Sequence, residues 1–192
     1  MVDITQLPEK EKRARSKKQM MWFAIASLIM MFAGLTSAYI VSASRRDWVD
    51  FELPSEFYYS TGVIVLSSLT LLLAKLSIKK NNRKGATLMT VLTFVLGATF
   101  VYMQFAGFET LTERDIFFTG KGSSVSASFV YLIVVAHLAH IVAGLISLMV
   151  ITINMVRGKY TGTDFLGFEL GAIFWHFVDF LWIFLLCFLL FY

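Results

Sequence analysis

Long apolar stretches separated by short charged ones make up most of this chain. Five of the stretches reach the ~18 residues that a membrane-spanning helix needs. They run approximately from Met20 to Ser42, Phe57 to Ile78, Ala86 to Phe105, Ser126 to Asn154 and Leu166 to Phe191. Roughly 20 residues at about 1.5 Å each cross a bilayer, so each stretch predicts one transmembrane helix. The connections are too short for a second domain. We therefore expect an all-α fold: a basic N-terminal segment over residues 1–18 and one five-helix transmembrane bundle over 19–192. Small residues at helical spacing, such as Gly34 with Ala38 or Ala136 with Ala139 and Ala143, would let helices approach closely, although Ala and Gly are too common here for this to discriminate. The first apolar run is longer than the apolar core of a cleaved signal peptide, about 7 to 15 residues, so the first span is expected to stay in the mature protein.

Composition sharpens this picture. Of the 192 residues, 57% are hydrophobic and 16% charged, and the mean hydropathy is +0.71. The charges sit in the short runs between spans, where they avoid the cost of entering hydrocarbon. A pI near 9.2 could suggest nucleic acid in a soluble protein. Here the basic residues flank spans and act as topology signals, so no nucleic-acid partner is expected. Lys10, Lys12, Arg13, Arg15, Lys17 and Lys18 precede the first span, Lys75, Lys79, Lys80, Arg83 and Lys84 lie around the second turn, and Arg157 and Lys159 follow the fourth span. The other two loops hold only Arg45, Arg46, Arg114 and Lys121, thirteen cations against four. This places the N-terminus in the cytoplasm and the C-terminus outside. The outer loops also carry Asp47, Asp50, Glu52, Glu56, Glu109, Glu113 and Asp115. Cys187, the single cysteine, excludes a disulfide framework or a CxxC pair and is read as a small apolar residue.

Ionisable residues inside spans require a partner or a function. The fourth span has His137 and His140; the fifth has Glu169, His176 and Asp179. At about 100° per residue the two histidines lie about 60° apart, and the three residues of the fifth span fall within an arc of about 80°. If the fourth and fifth helices are antiparallel neighbours, His137 and His140 sit level with His176 and Asp179. An anionic Asp179 near the bilayer centre would cost roughly 2.5 to 3.5 kcal/mol, for which a histidine or tryptophan N–H is the expected compensation. The expectation is a His and Asp cluster buried between these two helices. Such a cluster could be polar glue, a proton relay, a lipid-headgroup or metal site, or axial haem ligation by His140 and His176. Trp22, Trp48 and Tyr192 suit the membrane interface, whereas Trp175 and Trp182 lie deeper, beside the polar stripe, as N–H donors to it.

These residues resemble a known family. Phe174-Trp175-His176-Phe177-Val178-Asp179 with Trp182, and His137-Leu138-Ala139-His140 with Gly144, closely resemble the last two helices of cytochrome c oxidase subunit III. Leu53-Pro54, Leu66-Ser67-Ser68 and the stretch from Gly97 to Gln104 agree, so the resemblance covers about Met20 to Tyr192. The family's usual form has seven helices, a two-helix unit separated by a cleft from a five-helix unit; this chain is similar to the five-helix unit alone. Where the family commonly has an acid after a serine in that unit's first helix, Ser27 is followed by Leu28. Glu169 keeps a place where the family also has an acid.

The resemblance implies a non-catalytic subunit of a respiratory haem-copper oxidase in a bacterial inner membrane. It implies haem and copper in partner subunits, phospholipid in the cleft, and contact with subunit I and, in the same complex, subunit II. A quinol-oxidising complex is a further candidate partner. His137, His140, His176, Asp179 and Trp175 would then hold the helix interface, with Glu169 near the cytoplasmic end. Quinol oxidases and nitric oxide reductases have related subunits. From other classes, a small transporter or a b-type cytochrome stays open at this stage.

Overall fold

The computed structural model describes residues 8–120, 123–160 and 165–192. Lys121, the side chain of Lys10 and residues 1–7 of the basic segment lie outside that description. The five elements are helices: α1 (Glu9–Ser42), α2 (Ser55–Lys79), α3 (Arg83–Glu113), α4 (Val125–Val156) and α5 (Leu166–Phe191). Each is long and apolar enough to cross a membrane. Two run well beyond the expected spans, because hydropathy marks where lipid ends while the backbone obeys propensity and capping. α1 begins at Glu9, through a segment of Glu, Lys, Arg and Ala that favours helix, with Glu9 and Glu11 placed where the positive end of the helix dipole attracts them. α3 passes the expected end at Phe105 and stops at Glu113.

Three helices stop in the same way. Asn81 (φ 56°), Asp115 (φ 57°) and Gly158 (φ 69°) take left-handed backbone after α2, α3 and α4. In each case the next amide reaches back five residues: Asn82 to Ser77 at 2.9 Å, Ile116 to Leu111 at 3.0 Å and Lys159 to Asn154 at 3.0 Å. This is the Schellman arrangement, favoured by Gly, Asn and Asp because their side chains tolerate that backbone. It allows α2 to turn directly into α3, whose N-cap Asn82 accepts the Gly85 amide at 3.1 Å.

α2, α3, α4 and α5 pack in a closed ring, and α1 lies outside it against α4 and α5 rather than beside α2. α1 and α5 run parallel: Lys18 meets Glu169 near their starts, and Tyr39 meets Phe188 near their ends. Trp175, Trp182, Phe57, Phe100, Ile64 and Leu148 fill the ring's interior without exposure, while Phe23, Tyr102, Val156 and Phe180 face outward, as helices in lipid require. Trp48, in the loop after α1, packs edge-on to Tyr39 and donates its indole N–H to Asp50 at 3.0 Å. In the same loop two 2.9 Å bonds from Arg45 hold the Asp47 carboxyl below the usual carboxylate range.

The Lys18–Glu169 pair, at 2.9 Å, is the one ion pair among the described residues that joins two helices. Both side chains are partly solvated, so water and salt screen their attraction. Lys18→Ala is expected to lower the stability of the purified protein by less than about 1 kcal/mol, checked by thermal melting at low and high salt.

Candidate functional site: a polar seam between α2 and α5

Trp175, Asp179 and Trp182 recur at intervals of four and three, so they share one buried face of α5. That face meets α2, which presents hydroxyls in two rows seven residues apart, Ser60 with Ser67 and Thr61 with Ser68. The pairing is regular. The Trp175 indole N–H donates to Ser67 Oγ at 2.9 Å and the Trp182 indole N–H to Thr61 Oγ1 at 2.9 Å. Between them, Ser68 Oγ donates to Asp179 Oδ2, and His176 Nδ1 lies 3.1 Å from the same hydroxyl. With its proton committed to Asp179, Ser68 accepts from His176 Nδ1–H. The result is a chain from imidazole through hydroxyl to carboxylate.

The α2 hydroxyls that receive the tryptophans pass their own protons to α2 carbonyls: Ser67 to Ile64 at 2.9 Å and Thr61 to Phe57 at 2.8 Å. Such back-bonding places each oxygen's lone pairs toward α5. α2 binds α3 in similar fashion, through Gln104 Nε2 donating to Ser60 at 2.8 Å and a 2.8 Å Thr70–Thr93 contact. In hydrocarbon such bonds contribute about 1 kcal/mol each and, more importantly, fix register and rotation of the helices.

Tight backbone approach accompanies the seam. The Trp175 ring lies in a slot whose walls are Gly97 of α3 and Gly144 of α4. A Cβ at Gly97 would stand 2.6 Å from Trp175 Cη2, and one at Gly144 2.9 Å from its Cε3. Only glycine leaves room for the indole there.

The histidines of α4 do not join this seam. His137, fully buried, stacks on Trp182 at 5.1 Å and meets Phe32 of α1 and Phe100 of α3 edge-on. Neither of its ring nitrogens has a hydrogen-bond partner among the described residues. His140 is half-buried and turns back to its own helix, Nδ1 donating to the Ala136 carbonyl at 2.7 Å, with its ring against Phe32. The expected single cluster between α4 and α5 is thus two separate groups, an aromatic-enclosed imidazole pair facing α1 and α3 and a hydrogen-bonded seam facing α2. The level is as expected, since His137 stands beside Trp182. The direction differs because α5 has two neighbours in the ring, α2 and α4, and its acid turns to the one that offers a hydroxyl.

Compensation for Asp179 comes from Ser68, not from a histidine or indole N–H, which both donate to α2 instead. His176 directs Nδ1 to Ser68 of α2, and His140 directs Nδ1 to its own helix. Among the described residues no three His, Cys, Asp or Glu side chains gather around a common point. Glu169 stands apart from His176 and Asp179, engaged by Lys18. The residues that sequence reasoning missed are Ser60, Thr61, Ser67, Ser68 and Gln104 as site members. The signal for the four α2 residues was the seven-residue recurrence of hydroxyls within an otherwise apolar span; Gln104, on α3, had no such signal.

The sequence profile of the family described as cytochrome c oxidase subunit III matches residues 14–192. The chain is 29% identical over 190 residues to the cytochrome c oxidase subunit 3 of Alkalihalophilus pseudofirmus, covering 93% of this chain and 90% of that protein. It is 34% identical over 140 residues to the probable cytochrome c oxidase subunit 3 of Rickettsia felis, which is 72% of this chain and 47% of the relative. With the cytochrome c oxidase subunit 3 of Gadus morhua it shares 33% over 135 residues, 70% of this chain and 48% of the relative. The chain spans about half the length of the Rickettsia and Gadus relatives and nine-tenths of the Alkalihalophilus one. With α2 to α5 and all of α1 from residue 14 onward inside the matched segment, this chain belongs to the cytochrome c oxidase subunit III family.

Proposed function

We propose that this chain is the five-helix subunit III of a respiratory haem-copper terminal oxidase, a non-catalytic subunit that packs against and stabilises subunit I. Haem and copper belong to the partner subunits, which carry out oxygen reduction coupled to proton translocation. The observation that carries this reading is the family match over residues 14–192, which reaches into every helix rather than one motif. The use of the polar side chains supports a structural part: Trp175, His176, Asp179 and Trp182 all direct their hydrogen-bonding groups to α2, inside the bundle. An apolar groove of about 460 Å³ between α1 and α5, with Ile29, Phe32, Ile40, Phe180 and Phe184 on its walls, supports a phospholipid acyl chain at that face. The thirteen-to-four partition of Lys and Arg supports a cytoplasmic N-terminus in a bacterial inner membrane.

The test is to tag the chain, extract the membrane in mild detergent, and follow haem absorbance and oxygen consumption before and after the chain is stripped from whatever accompanies it. Oxidase activity in the complex and a colourless stripped chain are the expected results. A chain that purifies alone would overturn the proposal, and haem retained on that lone chain would favour a cytochrome. In the same preparation, Asp179→Leu removes the acceptor of the half-buried Ser68 hydroxyl, a loss of about 1 kcal/mol. The expected outcome is a lower yield of complex with an unchanged haem spectrum, and a normal yield would show that the α2–α5 seam does not govern assembly.

A further inference from the structure

Where α3 begins and α4 ends, a groove of about 490 Å³ opens on the outside of the ring. Its chemistry divides along its length. Leu88, Val91, Met155 and Val156 form an apolar floor, with Leu88 and Val156 largely exposed. Arg83 and Lys84 form the rim, and from Lys84 to Val91 the helix descends about 10 Å toward the middle of the bundle. Arg83 is seated by the end of α4: a Cβ on Gly158 would lie 3.1 Å from its Nη1, so the glycine that closes α4 also makes room for the guanidinium.

Among the described residues no ion pair neutralises the rim; Asp164 lies outside those residues. From Phe57 to Phe108 and from Ile116 to Tyr160 the chain contains no Asp or Glu. Among the described residues the ion pairs are Lys12–Glu9, Lys18–Glu169 and Arg45–Asp47, none at this groove. Lys79, Lys80, Arg157 and Lys159 add further cations at the same end of the bundle. A soluble anion would match the rim but not the floor, and an apolar helix would match the floor but leave the rim unpaired. A phosphodiester carrying an acyl chain matches both.

We propose that this groove binds one anionic phospholipid, its phosphate between Arg83 and Lys84 and an acyl chain along Leu88, Val91, Met155 and Val156. This is a different face from the α1–α5 groove, and it requires only that the chain span a membrane, not that it serve an oxidase.

The test places the full chain, with the subunits that stay attached, in nanodiscs of phosphatidylcholine containing a minority of phosphatidylglycerol, and counts retained lipids by native mass spectrometry. The unaltered protein should keep one phosphatidylglycerol that the double variant R83Q/K84Q loses, occupancy falling roughly tenfold or more. The variant K79Q/K80Q, which removes the same charge from the end of α2, should keep it. Equal loss in both variants would mean diffuse attraction to the basic end of the bundle and would overturn the site, as would retention in both. Release of a protein subunit by R83Q/K84Q with lipid unchanged would assign the groove to a partner chain instead. If R83Q/K84Q does not insert, Thr87→Trp, at a position that lines the same groove, keeps both charges and fills the floor; it should lose the lipid, and retention would overturn the proposal.

Discussion

Trp175→Ala should destabilise the bundle by about 3 to 5 kcal/mol, the range for removing a large buried aromatic side chain. The indole is fully enclosed between Gly97 and Gly144, so the helices around it cannot close the resulting cavity without shifting α3 against α4. Its N–H bond to Ser67 is lost as well, removing one of the ties that set the rotation of α5 against α2. Lipid lends no hydrophobic force to helix association, so packing of this kind carries a larger share of the stability than it would in water. Unfolding in sodium dodecyl sulfate, followed by circular dichroism, would measure the loss. Trp175→Phe separates the two contributions: it keeps much of the ring and should cost about 1 kcal/mol for the hydrogen bond, plus the smaller ring's void. Equal losses in the two variants would show that the slot contributes nothing beyond the Ser67 bond.

The converse change, Gly97→Leu, should cost about 1 to 3 kcal/mol by overpacking. Even the first carbon of the new side chain would overlap Trp175 Cη2 at 2.6 Å and Leu145 Cδ2 at 2.9 Å. Leu145 can turn aside, but the indole is a rigid plane held by its N–H bond to Ser67. The informative measurement is the double variant. Trp175→Ala vacates the volume that the introduced leucine side chain would occupy, so the pair together should cost less than the sum of the singles, by at least about 0.5 kcal/mol of coupling. Strict additivity would show that Gly97 and Trp175 do not share a slot.

Much of this architecture was legible from the chain. Five spans were plain because hydrocarbon tolerates so few charges, and a span must be apolar wherever its side chains point. Helix ends were less legible. α1 and α3 extend well past their apolar segments, since a helix in the interfacial region needs only propensity and a cap, and the left-handed Asp115 that stops α3 carries no hydropathy signal. Of the six residues expected at the site, Trp175, His176 and Asp179 come together, through α2. His137 and His140 form a second group, and Glu169 pairs with Lys18.

The chain by itself determined the number of helices, the polar stripe of α5 and the level at which α4 meets it. All of these follow from residue spacing along one helix and from the lengths that membranes impose. Only the tertiary structure decided which neighbour each stripe faces. The ring places α2 beside α5 and sends α1 to the outside, so Asp179 finds Ser68, more than a hundred residues earlier, rather than the nearer histidines of α4. Periodicity fixes the angle of a side chain about its own axis, but helix order around a bundle is set by which pair of surfaces interlocks. Here the Gly97–Gly144 slot for Trp175 and the hydroxyl rows of α2 supply that fit, and neither is a property of a single segment.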